Sequence, residues 1–146
     1  MQERKEVDMK LADFYPLIMT DKLTETRDFY VRWFGFTPQF EADWCVYMRS
    51  KGEPGFALMF MLPNHPSTPP GHETQSGGLI LTMQVEDAKA AFDEMKGKGL
   101  PIEHGLADEA WGQRRFLTRD PAGVWIDVVE QIAPADGFWE RYGVGA

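Results

Sequence analysis

Cysteine is nearly absent from this 146-residue chain, and the single residue, Cys45, excludes an intrachain disulfide and any multi-cysteine zinc site. Its neighbours Trp44, Val46 and Tyr47 favour a strand, so a buried, unreactive thiol is expected. Basic residues are also few: 15 Lys and Arg stand against 23 Asp and Glu, a formal charge of −8. Nucleic-acid binders ordinarily carry a basic face, so this balance argues against that class and suits a cationic ligand instead. Long apolar runs are missing. No stretch approaches the roughly 20 residues of a membrane span, and the opening MQERKEVDMK lacks the apolar core of a secretory signal. A cytoplasmic protein with neither membrane nor nucleic-acid partners is the expectation.

What is present is a hydrophobic share of 43%, with 13% aromatic, which is enough for one folded domain with its own core. After a charged leader over 1–10, the run LADFYPLIMT reads as a first strand. Phe29, Tyr30, Trp33 and Phe34 then fall on one helical face, and Gly35 suits the helix end. Three strand-like runs follow, Thr37–Ala42, Trp44–Arg49 and Phe56–Leu62, the last two joined by a turn over 51–55. Residues 63–78, rich in proline and glycine, read as a linker.

The order then repeats. GLILTMQV is a strand, and Ala88, Ala91, Phe92 and Met95 recur at helical spacing behind Asp87, a candidate cap. Strands at Pro101–Ala107, Arg114–Arg119 and Val124–Gln131 complete it. Between the last two, Asp120-Pro121-Ala122-Gly123 reads as a tight turn, with proline presetting φ and glycine free to take a positive one. The tail over 132–146, with Phe138, Trp139 and Tyr142, reads as a short docking helix.

The predicted fold is therefore α+β: two βαβββ modules, 11–62 and 79–131, in one structural domain. Each is too small to bury its sheet alone, so the two are expected to form curved mixed sheets around a shared cavity. A ferredoxin-like split βαβ arrangement has no place for the extra strands.

Three segments carry a family resemblance: IMTD followed by TRDFYVRWFGF, then GGLILTMQVED, and the closing line WGQRRFLTRDPAGVWIDVVE. Their order and spacing resemble the vicinal oxygen chelate superfamily, which holds glyoxalase I, extradiol dioxygenases, and fosfomycin- and bleomycin-resistance proteins. The resemblance implies a divalent metal held by His, Gln or Glu side chains from the first, fourth, fifth and eighth strands. Carried over by motif, those positions are Phe14, Met59, Ile80 and Asp127. Only Asp127 is of ligand type, and one carboxylate does not hold a catalytic metal. No metal or other cofactor is expected.

Of the three histidines, His65 and His72 lie in the linker and read as exposed loop residues. His104, beside Glu103, is the best-placed general base, with a hydrogen-bonded structural histidine as the plainer reading. Alternation instead predicts an apolar cavity wall. Trp125, Asp127 and Val129 share one face, as do Ala57, Met59 and Met61. Trp111, Trp44 and Phe14 join the candidate ligand contacts, and Glu41 and Asp43 add acidity. The set is similar to the bleomycin-resistance proteins, which sequester a cationic drug in an aromatic, acidic groove between paired subunits. Against this, Trp125 and the two methionines also fit plain packing, and Trp111 fits a dimer anchor. Asp127 also fits an ion pair with Arg114 or Arg115.

The leading expectation is a metal-free homodimer that binds and sequesters an aromatic or cationic small molecule, without catalysis. The alternatives are a metal-dependent glyoxalase-like lyase or isomerase, or a dioxygenase, recruiting His104, Glu103 and Asp127, and an interaction domain whose cavity is occluded.

Overall fold

The computed structural model describes residues 6–67 and 73–143. The first module comprises β1 (Leu17–Met19), α1 (Leu23–Phe34), β2 (Thr37–Ala42), β3 (Cys45–Arg49) and β4 (Ala57–Met61). The second comprises β5 (Ile80–Gln84), α2 (Ala88–Gly97), β6 (His104–Glu109), β7 (Gln113–Arg119) and β8 (Trp125–Gln131). Each module builds one four-stranded mixed sheet, β1-β4-β3-β2 and β5-β8-β7-β6. In both, the module's first strand pairs parallel with its last, and the remaining pairs are antiparallel. The repeated α+β order read from the sequence is the observed one.

Local chemistry explains where the helices form. At the start of α2 the Asp87 carboxylate accepts from the Ala90 N–H at 2.9 Å, the expected cap. Glu130 reaches over from β8 and accepts from the Ala88 N–H at 2.9 Å, satisfying a second orphan donor of that first turn. In α1 the predicted face is the observed one: Tyr30 is fully buried, with Phe29, Trp33 and Phe34 packed around it.

The helix-facing residues of both sheets share one core. Ile18, Val46, Met48, Leu58 and Phe60 of the first sheet join Phe116, Ile126 and Val128 of the second, around Tyr30 and Leu100. The Tyr30 hydroxyl donates to Asp120 Oδ2 at 2.7 Å, in the turn between β7 and β8. Arg32 of α1 donates to the Lys98 carbonyl just beyond α2 at 3.2 Å. The modules are thus joined on their helix-bearing faces. What they share within the chain is packed core; on the opposite faces Cys45, Ala57, Met61, Leu117 and Val129 are buried, while Leu17, Phe40, Tyr47, Met59, Ile80 and Trp125 keep part of their surface open to solvent.

Several boundaries differ from expectation. The first strand begins only at Leu17, not at Leu11. Pro16 has no N–H to extend the ladder, and its carbonyl accepts the Met59 N–H at 3.1 Å as the last contact. β6 begins at His104 rather than Pro101 and runs two residues past Ala107. Pro101 again lacks a donor, and its carbonyl is taken by the Thr118 hydroxyl at 2.7 Å. The tail's short helix is a single 3-10 turn, Glu140–Tyr142, preceded by turns. It still docks: Trp139 Nε1 donates to the Trp111 carbonyl at 2.9 Å. The described part of 63–78 has neither helix nor strand, and His72 lies outside the described residues. No helix among the described residues is long and apolar enough to cross a membrane.

Candidate functional site

Strand register decides which side chains occupy the open faces. In the first sheet Met59 of β4 lies between Leu17 of β1 and Tyr47 of β3. Met61 lies between Met19 and Cys45, and Ala57 opposite Arg49, so the predicted Ala57, Met59 and Met61 set does share the face away from α1. Phe40, opposite Tyr47 after a bulge in β2, adds an exposed ring. The face is apolar and aromatic, and its one guanidinium, Arg49, is paired with Asp13.

The second sheet supplies the polar half. Asp127 of β8 lies between Thr82 of β5 and Leu117 of β7, and Trp125 lies between Ile80 and Arg119. Asp127 is only 6% exposed. Its Oδ2 is 3.5 Å from Arg115 Nη1 and 3.4 Å from the Thr82 hydroxyl, both at the outer limit of hydrogen bonding. Its Oδ1 has no hydrogen-bond partner, and neither has Arg115 Nε, which sits 3.9 Å from Glu109. Of the two arginines weighed as partners, Arg115 is the one in contact. Arg114 points to the other face, paired with Asp108 at 2.7 Å. Trp111 joins this end of the face, its Nε1 donating to Gln113 at 2.8 Å. The Arg119 guanidinium lies 3.9 Å from the Trp125 ring centre, and that of Arg115 lies 5.4 Å from the Trp111 ring.

Phe14 is not part of this arrangement. It precedes β1, is 82% exposed, and its N–H donates to its neighbour Asp13. The first-strand position beside Met59 belongs to Leu17, because the strand starts three residues later than the motif count implied. Trp44 lies in the turn between β2 and β3, where its ring stacks on His65 at 4.1 Å. The expected acidity is also misplaced. Glu41 accepts from Arg27 of α1 at 3.2 Å, on the helix side, and Asp43 sits in an exposed turn. Sequence reasoning named Arg115 only as an alternative to Arg114, and it missed Arg119, Glu109 and Thr82. The signal was available: alternation back from the Asp120–Gly123 turn places Arg119, Leu117 and Arg115 on the face of Trp125 and Asp127.

The residues at the four family positions do not supply a metal site. Leu17 and Met59 offer no hard donor, the fifth strand presents Ile80 and Thr82, and Asp127 already faces a guanidinium. His104, Glu103 and Asp127 do not come together either. His104 lies opposite Leu117, which lies opposite Asp127, so two strand spacings, about 10 Å, separate them. Among the described residues no group of three His, Cys, Asp or Glu is placed to hold a metal ion.

Burial raises the Asp127 carboxyl above its ordinary value, against the smaller opposing pull of Arg115 and Thr82. The folded protein therefore holds that proton more tightly than the unfolded chain does. The associated stability is complete below the ordinary carboxylate value of about 3.9, and it is lost as pH rises through the raised folded value. Asp127→Asn cannot ionise, so the stability of the variant relative to the parent should rise as pH climbs from below the ordinary carboxylate value through the raised folded one. Urea unfolding across that range reads it, and a pH-independent difference would mean that Asp127 titrates normally.

The family model of the Glyoxalase/Bleomycin resistance protein/Dioxygenase superfamily matches residues 14–128 of the chain. The chain belongs to that superfamily. Its fold is similar to that of a glyoxalase/bleomycin resistance protein/dioxygenase from Nocardioides, at 16% identity and a TM-score of 0.71, over 87% of each chain. A lactoylglutathione lyase from Agrobacterium tumefaciens superposes with a TM-score of 0.63 at 22% identity, over 82% of this chain and 92% of its own. TnmS3, an antibiotic binding protein from Streptomyces sp. CB03234, gives 0.64 at 20% identity, over 86% of this chain and 99% of its own. No curated protein sequence matches significantly. At these identities the superpositions establish the superfamily's fold, while the chemistry rests on the chain's own residues.

Proposed function

We propose that this superfamily member is a cytoplasmic, metal-free homodimer that binds and sequesters an aromatic small molecule in a cleft lined by its open sheet faces. The observation that carries the reading is the division of each sheet into two faces. One is consumed by the shared core. The other keeps large apolar and aromatic groups at least partly open to solvent: Leu17, Phe40, Tyr47 and Met59 in the first sheet, Ile80 and Trp125 in the second. Methionine and tryptophan offer adaptable, flat surface at low entropic cost. A second copy covers this surface and closes the cleft, since exposed apolar faces of this kind mark interfaces and ligand sites. The likeness to an antibiotic-binding fold supports the same reading.

Titrating planar aromatic compounds of each charge type against tryptophan fluorescence tests it, with the native mass measured in parallel. The expected results are a dimer and saturable quenching, weakened about fivefold to tenfold by Trp125→Ala. A monomer that quenches with none of the compounds would sink the proposal. The lyase or dioxygenase alternative makes the opposite prediction, about one equivalent of divalent metal removed by chelation with loss of turnover. The mismatch of Leu17, Met59 and Thr82 to a metal speaks against it.

A further inference from the structure

We propose that Arg115 and Asp127 form a donor–acceptor handle for a net-neutral planar ligand, one whose ring edge presents a hydrogen-bond donor beside an acceptor, as a lactam does. The inference rests on the sequestration reading and names the class of ligand. Three observations converge on it.

First, the chain's charge of −8 does not appear on this face. Glu109 and Asp127 are offset there by Arg115 and Arg119, which alternation brings to the same side. A cationic ligand meets no uncompensated acid. Second, a guanidinium already lies over the Trp125 ring, that of Arg119 at 3.9 Å, and the Arg115 guanidinium stands 5.4 Å from the Trp111 ring. A further positive charge would face two guanidinium groups at short range.

Third, the Arg115–Asp127 pair is unfinished. Asp127 Oδ1 is a buried acceptor without a donor, and Arg115 Nε a buried donor without an acceptor. Both ion contacts of Arg115, 3.5 Å to Asp127 and 3.9 Å to Glu109, are longer than good charge-assisted hydrogen bonds. These long contacts leave room for a ligand group to replace them with shorter ones, and the Arg115 side chain is already 22% exposed. One ligand edge that does so pairs both unpaired atoms. A cis-lactam N–H then donates to Asp127 while its carbonyl accepts from Arg115, and the ring lies along the tryptophan wall. A site built to complete two buried groups discriminates against a ligand that leaves either one unpaired.

The test is calorimetric titration of the full-length protein with three probes: 2-quinolone, N-methyl-2-quinolone, which lacks the donor, and N-methylquinolinium, a cation of the same shape. The 2-quinolone is expected to bind about tenfold or more tightly than either of the others. Asp127→Ala and Arg115→Met should each abolish its advantage over N-methyl-2-quinolone, in variants whose circular dichroism and melting show that they are folded. The comparison of probes on the parent protein stands even if a variant fails to fold. Equal affinity for the two quinolones overturns the handle. Tightest binding of the quinolinium overturns it too, but leaves sequestration standing, now of cations. Binding of none of the three also overturns it, and whether sequestration falls as well is read from the fluorescence panel.

Discussion

Asp120→Ala is expected to destabilise the protein by about 4 kcal/mol, the sum of two buried donors losing their acceptor at about 1–3 kcal/mol each. The first donor is the Tyr30 hydroxyl, 2.7 Å from Asp120 Oδ2 and fully buried. The second is the Val124 N–H, 3.0 Å from Asp120 Oδ1. One carboxylate therefore holds the β7–β8 turn in shape and ties that turn to α1 of the other module. Burial raises its pKa, and the bonds from Tyr30, Val124 and the turn's other N–H groups pull the opposite way. Tyr30→Phe should cost less, about 1–2 kcal/mol, because the backbone donors still satisfy the carboxylate. For a chain of this size the alanine variant's melting temperature should fall by about 10 °C. Thermal melts of the two variants settle the ordering. Equal losses would show that the tie between modules, not the turn, accounts for the whole effect.

The second large effect is expected at Gly112, where φ is +107°. A Cβ there would lie 2.9 Å from the Ile132 carbonyl oxygen and 3.3 Å from the Pro134 nitrogen, both backbone atoms that cannot rotate away. Gly112→Ala is expected to cost about 3 kcal/mol, combining left-handed strain with displacement of the tail. The Ile132 N–H bonds the Gly112 carbonyl at 2.9 Å, and Trp139 bonds the Trp111 carbonyl next to it, so the tail should detach beside the candidate site. Gly137→Ala is the control: φ is +74° there, but nothing lies within 4 Å of a Cβ, so only strain of about 1 kcal/mol remains. Proteolysis of the tail in the Gly112 variant and not in the Gly137 variant is the expected pattern. Equal behaviour would mean that the close approach to Ile132 is relieved elsewhere.

Much of the architecture was legible in the sequence because its determinants are local. Helical spacing at Phe29, Tyr30, Trp33 and Phe34, the Asp87 cap, and the turn at Asp120–Gly123 each depend on a few neighbouring residues, and each was observed as expected. The family motifs added their order. Strand ends were less legible, since they depend on which backbone groups find partners across the sheet, as at Pro16, where β1 begins only at Leu17.

The site divides along the same line. Alternation along β4 and β8 sufficed to group Met59 with Met61 and Trp125 with Asp127, because period two is a property of a single strand. The state of Asp127 was a different matter. Whether it faced a cation, a metal or a neighbour depended on what β5, β6 and β7 set beside it, namely Thr82, Glu109 and Arg115. Electrostatic environment is a sum over strands far apart in the chain and falls steeply with distance, so composition misjudged it: a chain of charge −8 presents a balanced face here. The sequence by itself determined the repeated module, the superfamily and the parity of each strand. Only the tertiary structure decided that the modules share their core through Tyr30 and Asp120, and that Arg115 stands at the carboxylate.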